Sequence, residues 1–156
     1  MKALVVYDSV FGNTEKVAQA IGAALAPQAE VNVLRVGDVK PEHLAGLDML
    51  LVGSPTRAFS ATPAMKAWLK RLAPTSLKGV KVGAFDTRAD VKEVGSAILT
   101  FFVSIFGYAA EPMAARLVKK GGVQAMPAGG FIVKGTEGPL KEGELERAAA
   151  WARQIL

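Results

Sequence analysis

The feature that most constrains the fold of this chain is the alternation of short apolar segments with segments of helical spacing. The predicted strands are the apolar, β-branched runs at residues 2–7, 31–36, 49–52 and 80–85, with a weaker one at 131–133. The first, third and fourth are apolar without strict alternation, as expected for strands covered on both faces. Because strand and helix alternate, we expect a parallel, doubly wound sheet with right-handed crossovers and helices on both faces.

Four helices are predicted from apolar stripes and end signals. The first follows Thr14, and the second follows Thr62-Pro63, where proline takes the first helical position. The third begins near Glu111 and ends at Gly121. The last is predicted from about Lys141 onward, with an inner face made of Leu145, Ala148, Ala149, Ala152 and Ile155.

The composition limits the chemistry that the chain can perform. A length of 156 residues with 51% apolar content is typical of one domain, and we expect residues 1–156 to form it. Absence of cysteine excludes disulfides, thiolate nucleophiles and cysteine-ligated metal clusters. The single histidine, His43, lies in a polar stretch that predicts a surface turn or short helix. Any redox chemistry must therefore come from a bound cofactor.

The distribution of charge and apolarity indicates where the protein works. No apolar run approaches the roughly 18 residues of a membrane span, and the run at Met1–Tyr7 is too short for a signal peptide. We therefore expect a cytoplasmic protein without a transmembrane segment. The formal net charge is +5, but the basic residues are scattered along the sequence and no nucleic-acid motif accompanies them, so no nucleic-acid partner is predicted.

The loop from Ser9 to Asn13 has the composition of a phosphate site. In a doubly wound sheet ligands bind outside the carboxyl ends of the strands, which selects the loops after the first, third and fourth strands. The first loop joins a strand to a helix and offers hydroxyls, an amide and Gly12, all suited to a phosphate at a helix N-terminus. The alternative is an ordinary capped turn, which would account for Thr14 alone.

Three other phosphate-binding arrangements do not match. A P-loop needs Gly-Lys-Ser/Thr, and a dinucleotide fold needs Gly-x-Gly-x-x-Gly, and neither string is present in this loop. A phosphate-accepting receiver domain would end its third strand in a carboxylate, where this chain has Gly53-Ser54.

Four segments, in this order, resemble the flavodoxin family: Tyr7–Glu15, Gly53–Thr56, Gly83–Arg88 and Glu137–Leu145. They are most similar to a branch with an Asp-Thr-Arg third loop. The likeness covers nearly the whole chain, and its first motif is the specific one. The resemblance implies a flavodoxin-like α/β fold, a five-stranded parallel sheet of strand order 2-1-3-4-5, and FMN as the cofactor.

The resemblance also assigns residues to the cofactor. It implies a phosphate loop made of Ser9, Val10, Phe11, Gly12, Asn13 and Thr14. It implies a second loop, beside the phosphate, ribityl chain and ring, made of Ser54, Pro55, Thr56, Arg57 and Ala58. The third loop, near the isoalloxazine, would be made of Asp86, Thr87 and Arg88.

The chain departs from its apparent relatives in its aromatic residues. Phe11 replaces a hydroxyl residue in the phosphate loop, where the backbone donor survives the change. The stretch Asp86–Ala97 contains no aromatic that could stack on the ring. Phe59 is the stacking candidate in the second loop, with an apolar anchor for the next helix as the alternative. The aromatic-rich stretch Ile98–Ala110 is either core, a cover for the flavin or a partner surface.

Three functions are compatible with these features. The first is an FMN-dependent electron-transfer protein, and the second an NAD(P)H-dependent quinone or flavin reductase. The third is a flavin-free or flavin-sensing interaction protein. We expect Arg57 and Arg88, near the ring, to stabilise the anionic reduced flavin. A net charge of +5 predicts an acidic redox partner, and the sequence leaves the oligomeric state open.

Overall fold

The fold is described from a computed structural model, which describes residues 1–90, 97–98, 101 and 107–156. The strands are β1 (Lys2–Tyr7), β2 (Glu30–Arg35), β3 (Met49–Pro55), β4 (Lys81–Ala89), β5 (Val123–Gln124) and β6 (Gly129–Val133). The helices are α1 (Asn13–Leu25), α2 (Pro41–Leu44), α3 (Pro63–Arg71), α4 (Ala110–Lys119) and α5 (Glu144–Ala152).

The sheet is parallel, with the order β2-β1-β3-β4 followed by β5 and β6, which both pair with β4. The predicted order 2-1-3-4-5 is therefore confirmed, with one difference in the number of strands. Two short strands share the fifth position because Pro127, which has no N–H to donate, lies between them. β5 went unpredicted because two residues carry no readable pattern.

Two helical layers cover the sheet. Alternate side chains of a strand point to opposite faces, so Ala3 and Val5 of β1 pack against α1 and α5. Leu4 and Val6 pack with α3 and α4 on the other face. This double burial explains why the predicted strands were apolar without alternation. Within the described ranges, no helix has the length and apolarity needed to cross a membrane.

The last helix differs from its prediction in its start and its inner face. It begins at Glu144 rather than Lys141, because Gly143 forms the N-cap in a left-handed conformation, φ 84°. Leu145 is exposed, which corrects its assignment to the inner face. Trp151 is buried instead, in edge-to-face contact with Phe85 and Phe131 at 5.9 and 6.0 Å.

β3 and β4 extend into segments that the sequence predicted as loops. Asp86, Thr87 and Arg88, expected as the third loop, lie within β4. Thr87 and Arg88 pair with Phe131 and Ile132 of β6, and this pairing keeps polar residues in strand conformation. The strand end is thus set by a partner 44 residues away in the sequence rather than by apolarity.

Candidate functional site

A cavity of about 340 Å³ opens at the carboxyl ends of β1, β3 and β4, within the range of small-ligand sites. Its lining comes from four chain segments. The residues that line it are Ser9, Val10, Phe11, Asn13, Thr14, Pro55, Thr56, Arg57, Ala58, Thr87, Arg88, Ala89, Val133 and Thr136. The cavity therefore lies where the doubly wound topology places a ligand.

The first wall of the cavity is the N-terminus of α1. Its N-cap is Gly12, left-handed at φ 91°, and no side chain caps the helix. The first-turn N–H groups of an α-helix have no intrahelical partner. In α1 the first two residues, Asn13 and Thr14, line the cavity. The Ser9 hydroxyl accepts a hydrogen bond from the Gly12 N–H at 3.1 Å. Uncapped amides beside hydroxyls fit an anion such as phosphate.

Asp8 fixes this first loop against its neighbours. Its Oδ1 accepts from the Ser9 N–H at 2.9 Å and from Arg35 at 3.3 Å. Its Oδ2 accepts from the Thr62 hydroxyl at 2.5 Å, and that hydroxyl also caps α3. Arg35 donates in addition to the Ser9 carbonyl at 3.0 Å. The loop is thus held by the ends of β2 and α3 before any ligand binds.

The second wall is a tight hairpin after β3. The Arg57 and Ser60 backbones exchange two hydrogen bonds, of 2.8 and 3.0 Å. Ala58 and Phe59 between them have positive φ, 47° and 68°, as in a type I′ turn. The Arg57 guanidinium lies over the ring of Phe11, 5.7 Å from its centroid. This cation is exposed at the cavity, and no carboxylate among the described residues pairs with it.

The third wall contains a buried ion pair. The Asp86 carboxylate is fully buried and accepts two hydrogen bonds from Arg88, from Nε at 2.6 Å and from an Nη at 2.7 Å. It also accepts from the Ala110 N–H, at the start of α4, at 2.9 Å. Burial raises the pKa of Asp86, although Arg88, Ala110 and the Thr56 hydroxyl oppose the rise. The charge of Arg88 is therefore largely compensated by its own strand.

The Arg88 guanidinium is closely surrounded by Tyr108 and Gly130. The centroid of the Tyr108 ring lies 3.6 Å from the guanidinium carbon. At Gly130 an added Cβ would come within 2.3 Å of the same carbon. Glycine at this position is therefore required for the guanidinium to reach Asp86.

A fourth wall, missed at the sequence level, is the loop that follows β6. Val133 and Thr136 line the cavity, and the Glu137 carbonyl accepts a hydrogen bond from the Asn13 side chain at 2.8 Å. Gly138 packs against that amide so closely that a Cβ would lie 2.6 Å from it. The sequence could have indicated this loop as part of the site, because it also follows the carboxyl end of a parallel strand and contains glycines.

Eleven of the fifteen candidate residues line the cavity, and four do not. Gly12 lies at the cap of α1, behind its neighbours. The Ser54 hydroxyl is fully buried and accepts from the Thr62 N–H at 3.0 Å, so it holds the second loop rather than facing the cavity. Asp86 is turned onto Arg88, and Phe59 is outside the lining. That the lining residues bind FMN stays a prediction.

The aromatic stretch at 98–110 is described in part. Ile98 and Phe101 are exposed, while Tyr108 stacks on Arg88 and contributes to the third wall. Phe102 and Phe106 lie outside the described residues. Ala109 and Ala110 are buried, and for the rest of the stretch core, flavin cover and partner surface stay alternatives.

The comparisons with known proteins all indicate the same family. A family model described as "Flavodoxin domain" matches residues 4–96. Among solved structures, a flavodoxin from the domain Archaea is 25% identical with a TM-score of 0.78, covering 99% of this chain and 96% of its own. The two-electron reduced flavodoxin of Megasphaera elsdenii is 27% identical with a TM-score of 0.67, covering 96% and 97%. Oxidised Flavodoxin 1 of Bacillus cereus, 16% identical, has a TM-score of 0.77 over 99% and 97%.

Proposed function

Because this chain belongs to the flavodoxin family, whose cofactor is FMN, we propose that it is an electron carrier that exchanges electrons with a partner protein. The observation that carries the proposal is the cavity at the uncapped N-terminus of α1, which is lined by hydroxyls and has no acidic side chain among its described lining residues. Support also comes from the oxidation states in which flavodoxins of similar fold have been determined, oxidised and two-electron reduced.

The residues present fit FMN in both charge and size. Ser9, Asn13 and Thr14, with the first amides of α1, would hold the phosphate. Residues 55–58 and the end of β4 would flank the ribityl chain and the ring. Bound FMN supplies reversible electron uptake, and the protein sets its potential through hydrogen bonds, stacking and charge.

The positions of the two ring-side arginines refine the expectation that both favour the reduced flavin. Arg57 is exposed at the cavity and pairs with no described carboxylate, whereas Arg88 is compensated by Asp86. An unpaired cation stabilises an anion, so Arg57→Gln should lower the midpoint potential, on the order of 30 mV. The matched Arg88→Gln should change it less, because the buried Asp86 can take up a proton in compensation. A potential that stays constant or rises in Arg57→Gln contradicts this role.

An absorption titration tests the proposed function. Purified protein is mixed with FMN and then with NADPH. A yellow complex that persists with NADPH supports a carrier, and a complex that NADPH bleaches supports an NAD(P)H-dependent reductase. Absence of a complex refutes flavin binding.

A pair of serine variants links the complex to the phosphate loop. Ser9→Ala should weaken FMN binding at least about tenfold, since a hydrogen bond to a charged group contributes about 1.5–3 kcal/mol. Ser76→Ala, in an exposed loop outside the cavity lining, is the matched control and should leave the FMN affinity unchanged. Equal affinities in the two variants would remove Ser9 from the site.

A further inference from the structure

Five of the 19 basic residues lie on the two helices of one layer, where few acidic residues accompany them. From Met49 to Phe85 the sequence contains no acidic residue, and its basic residues are Arg57, Lys66, Lys70, Arg71, Lys78 and Lys81. Helix α4, which packs beside α3, adds Arg116 and Lys119 against one acid, Glu111. The opposite layer, with α1 and α5, mixes both signs in its helices. We call the exposed surface of α3 and α4 the basic face.

Fold stability accounts for the basic face only in part. None of the ion pairs recorded in the described part of the chain involves a cation of α3 or α4. Cations in the last turn of a helix interact favourably with its dipole, which accounts for Lys70 and Arg71 of α3 and for Arg116 and Lys119 of α4 but not for Lys66. Lys66 lies in the first half of α3, and like charges four residues apart, such as Lys66 and Lys70, repel each other. An uncompensated cluster of this kind is suited to binding an acidic surface.

A small cleft lies at the centre of the basic face. It measures about 150 Å³ and separates the two helices, with Leu69 and Met113 as buried lining and Lys66 and Arg116 beside them. This is below the size of ordinary small-ligand sites, which start near 300 Å³. A cleft with an apolar floor and a charged rim instead matches the anchor pockets of protein interfaces.

The cleft is connected to the flavin cavity by direct hydrogen bonds. Ser60, which lines the cleft, exchanges two backbone bonds with Arg57 of the cavity wall. Ala109, also in the cleft, donates its N–H to the Thr56 hydroxyl at 3.0 Å. A protein seated on the cleft would therefore lie beside the mouth of the cavity that we assign to FMN.

From this charge, shape and placement we infer that the basic face, centred on the cleft, is the docking surface for an acidic redox protein. The partner would present carboxylates to Lys66 and Arg116 and one apolar side chain to the cleft. The inference rests on the proposed electron-carrier function for its redox partner, but the binding itself requires no flavin.

Binding of a small acidic ferredoxin tests the inference. Its dissociation constant is measured for the flavin-free and the flavin-loaded protein at low salt and at 200 mM salt. The triple variant Lys66→Gln, Arg116→Gln, Lys119→Gln should bind about tenfold more weakly at low salt, and the difference should shrink as salt screens the charges. The charge-matched control Lys16→Gln, Lys141→Gln, Arg153→Gln lies outside the basic face and should change the constant less than twofold.

Several outcomes would overturn the docking surface. Equal weakening in the two triple variants would assign binding to net charge rather than to this face. Tighter binding of basic cytochrome c than of the ferredoxin would reject an acidic partner. Tighter binding of duplex DNA or of anionic lipid vesicles, lost in the first triple variant, would assign the face to nucleic acid or membrane. A protein that takes up no FMN refutes the proposed function, while the ferredoxin constants still decide the docking surface.

Discussion

Replacing Arg88 with methionine removes the partner of a fully buried carboxylate and keeps an unbranched apolar stem beside Tyr108 and Gly130. The Arg88 side chain is 21% exposed and that of Asp86 is 0% exposed, so the pair is screened little by solvent. Breaking a buried pair by removing one partner costs about 3–5 kcal/mol. We expect Arg88→Met to lower the free energy of unfolding by about 3 kcal/mol at pH 8.

The loss of stability in Arg88→Met should depend on pH. Whether the loss grows or shrinks as pH rises follows from the raised pKa of Asp86. Between the ordinary pKa and the raised one, the folded protein holds a proton that the unfolded chain has released, so stability falls as pH rises through that window. Without Arg88 the pKa of Asp86 rises further, and the window reaches to higher pH. The two proteins lose stability in parallel up to the raised pKa that Asp86 has beside Arg88. The deficit of Arg88→Met therefore grows above that pKa, by at most about 1.4 kcal/mol per pH unit.

Urea unfolding of the flavin-free protein, followed by circular dichroism from pH 4.5 to 8, measures the deficit. The matched control is Arg147→Met, which breaks a similar bidentate pair with Glu144. There the hydrogen bond from Arg147 is the main cause that lowers the pKa of Glu144, so that pair's contribution is lost as pH falls below the ordinary glutamate value. The control deficit should be flat from pH 5 to 8. A flat deficit for Arg88→Met, or equal slopes in both variants, would refute the reasoning.

Three further substitutions test the first and fourth walls. Gly12→Ala has room for its Cβ but forces alanine to φ 91°, and should destabilise the protein by about 1–2 kcal/mol in urea unfolding. Gly138→Ala would place a Cβ 2.6 Å from the Asn13 amide and displace it from the Glu137 carbonyl, so FMN affinity in a fluorescence titration should fall. Thr87→Val removes the buried 2.8 Å bond to the Thr14 hydroxyl and should lower the unfolding free energy by about 1–3 kcal/mol.

The fold was predictable because each strand and helix carries a local signal. Strands covered on both faces are apolar throughout, and the stripe after Thr62-Pro63 identified α3 with its cap and its proline in place. The errors occur where a long-range contact decides the local structure. β4 continues through Arg88 because β6 pairs with it. The inner face of α5 includes Trp151 because its ring packs edge-to-face against Phe85 and Phe131.

The sequence was sufficient to predict which strand ends form the candidate site. It was not sufficient to predict which side chains point into the cavity. A motif places Ser54 at the carboxyl end of β3, yet its hydroxyl is used to fix the Thr62 backbone. Topology alone does not determine which polar groups form hydrogen bonds within the protein and are therefore unavailable to a ligand. The loop at 134–138 shows the reverse case, since its end belongs to the resembling segment Glu137–Leu145 but was assigned no cofactor residue, and it still contacts the first wall through Glu137.

The two arginines that line the cavity show how much depends on a side chain's partner. Sequence position gave Arg57 and Arg88 the same role, because both follow strand segments that end at the cavity. The fold gives Arg88 a buried carboxylate, so its charge contributes little net field, and it is Asp86, not Arg88, that joins β4 to the start of α4 through the Ala110 N–H. Arg57 keeps its charge and lies in the hairpin that separates the flavin cavity from the cleft. Under the two proposals made above, the same cation would act on the flavin and on an acidic partner.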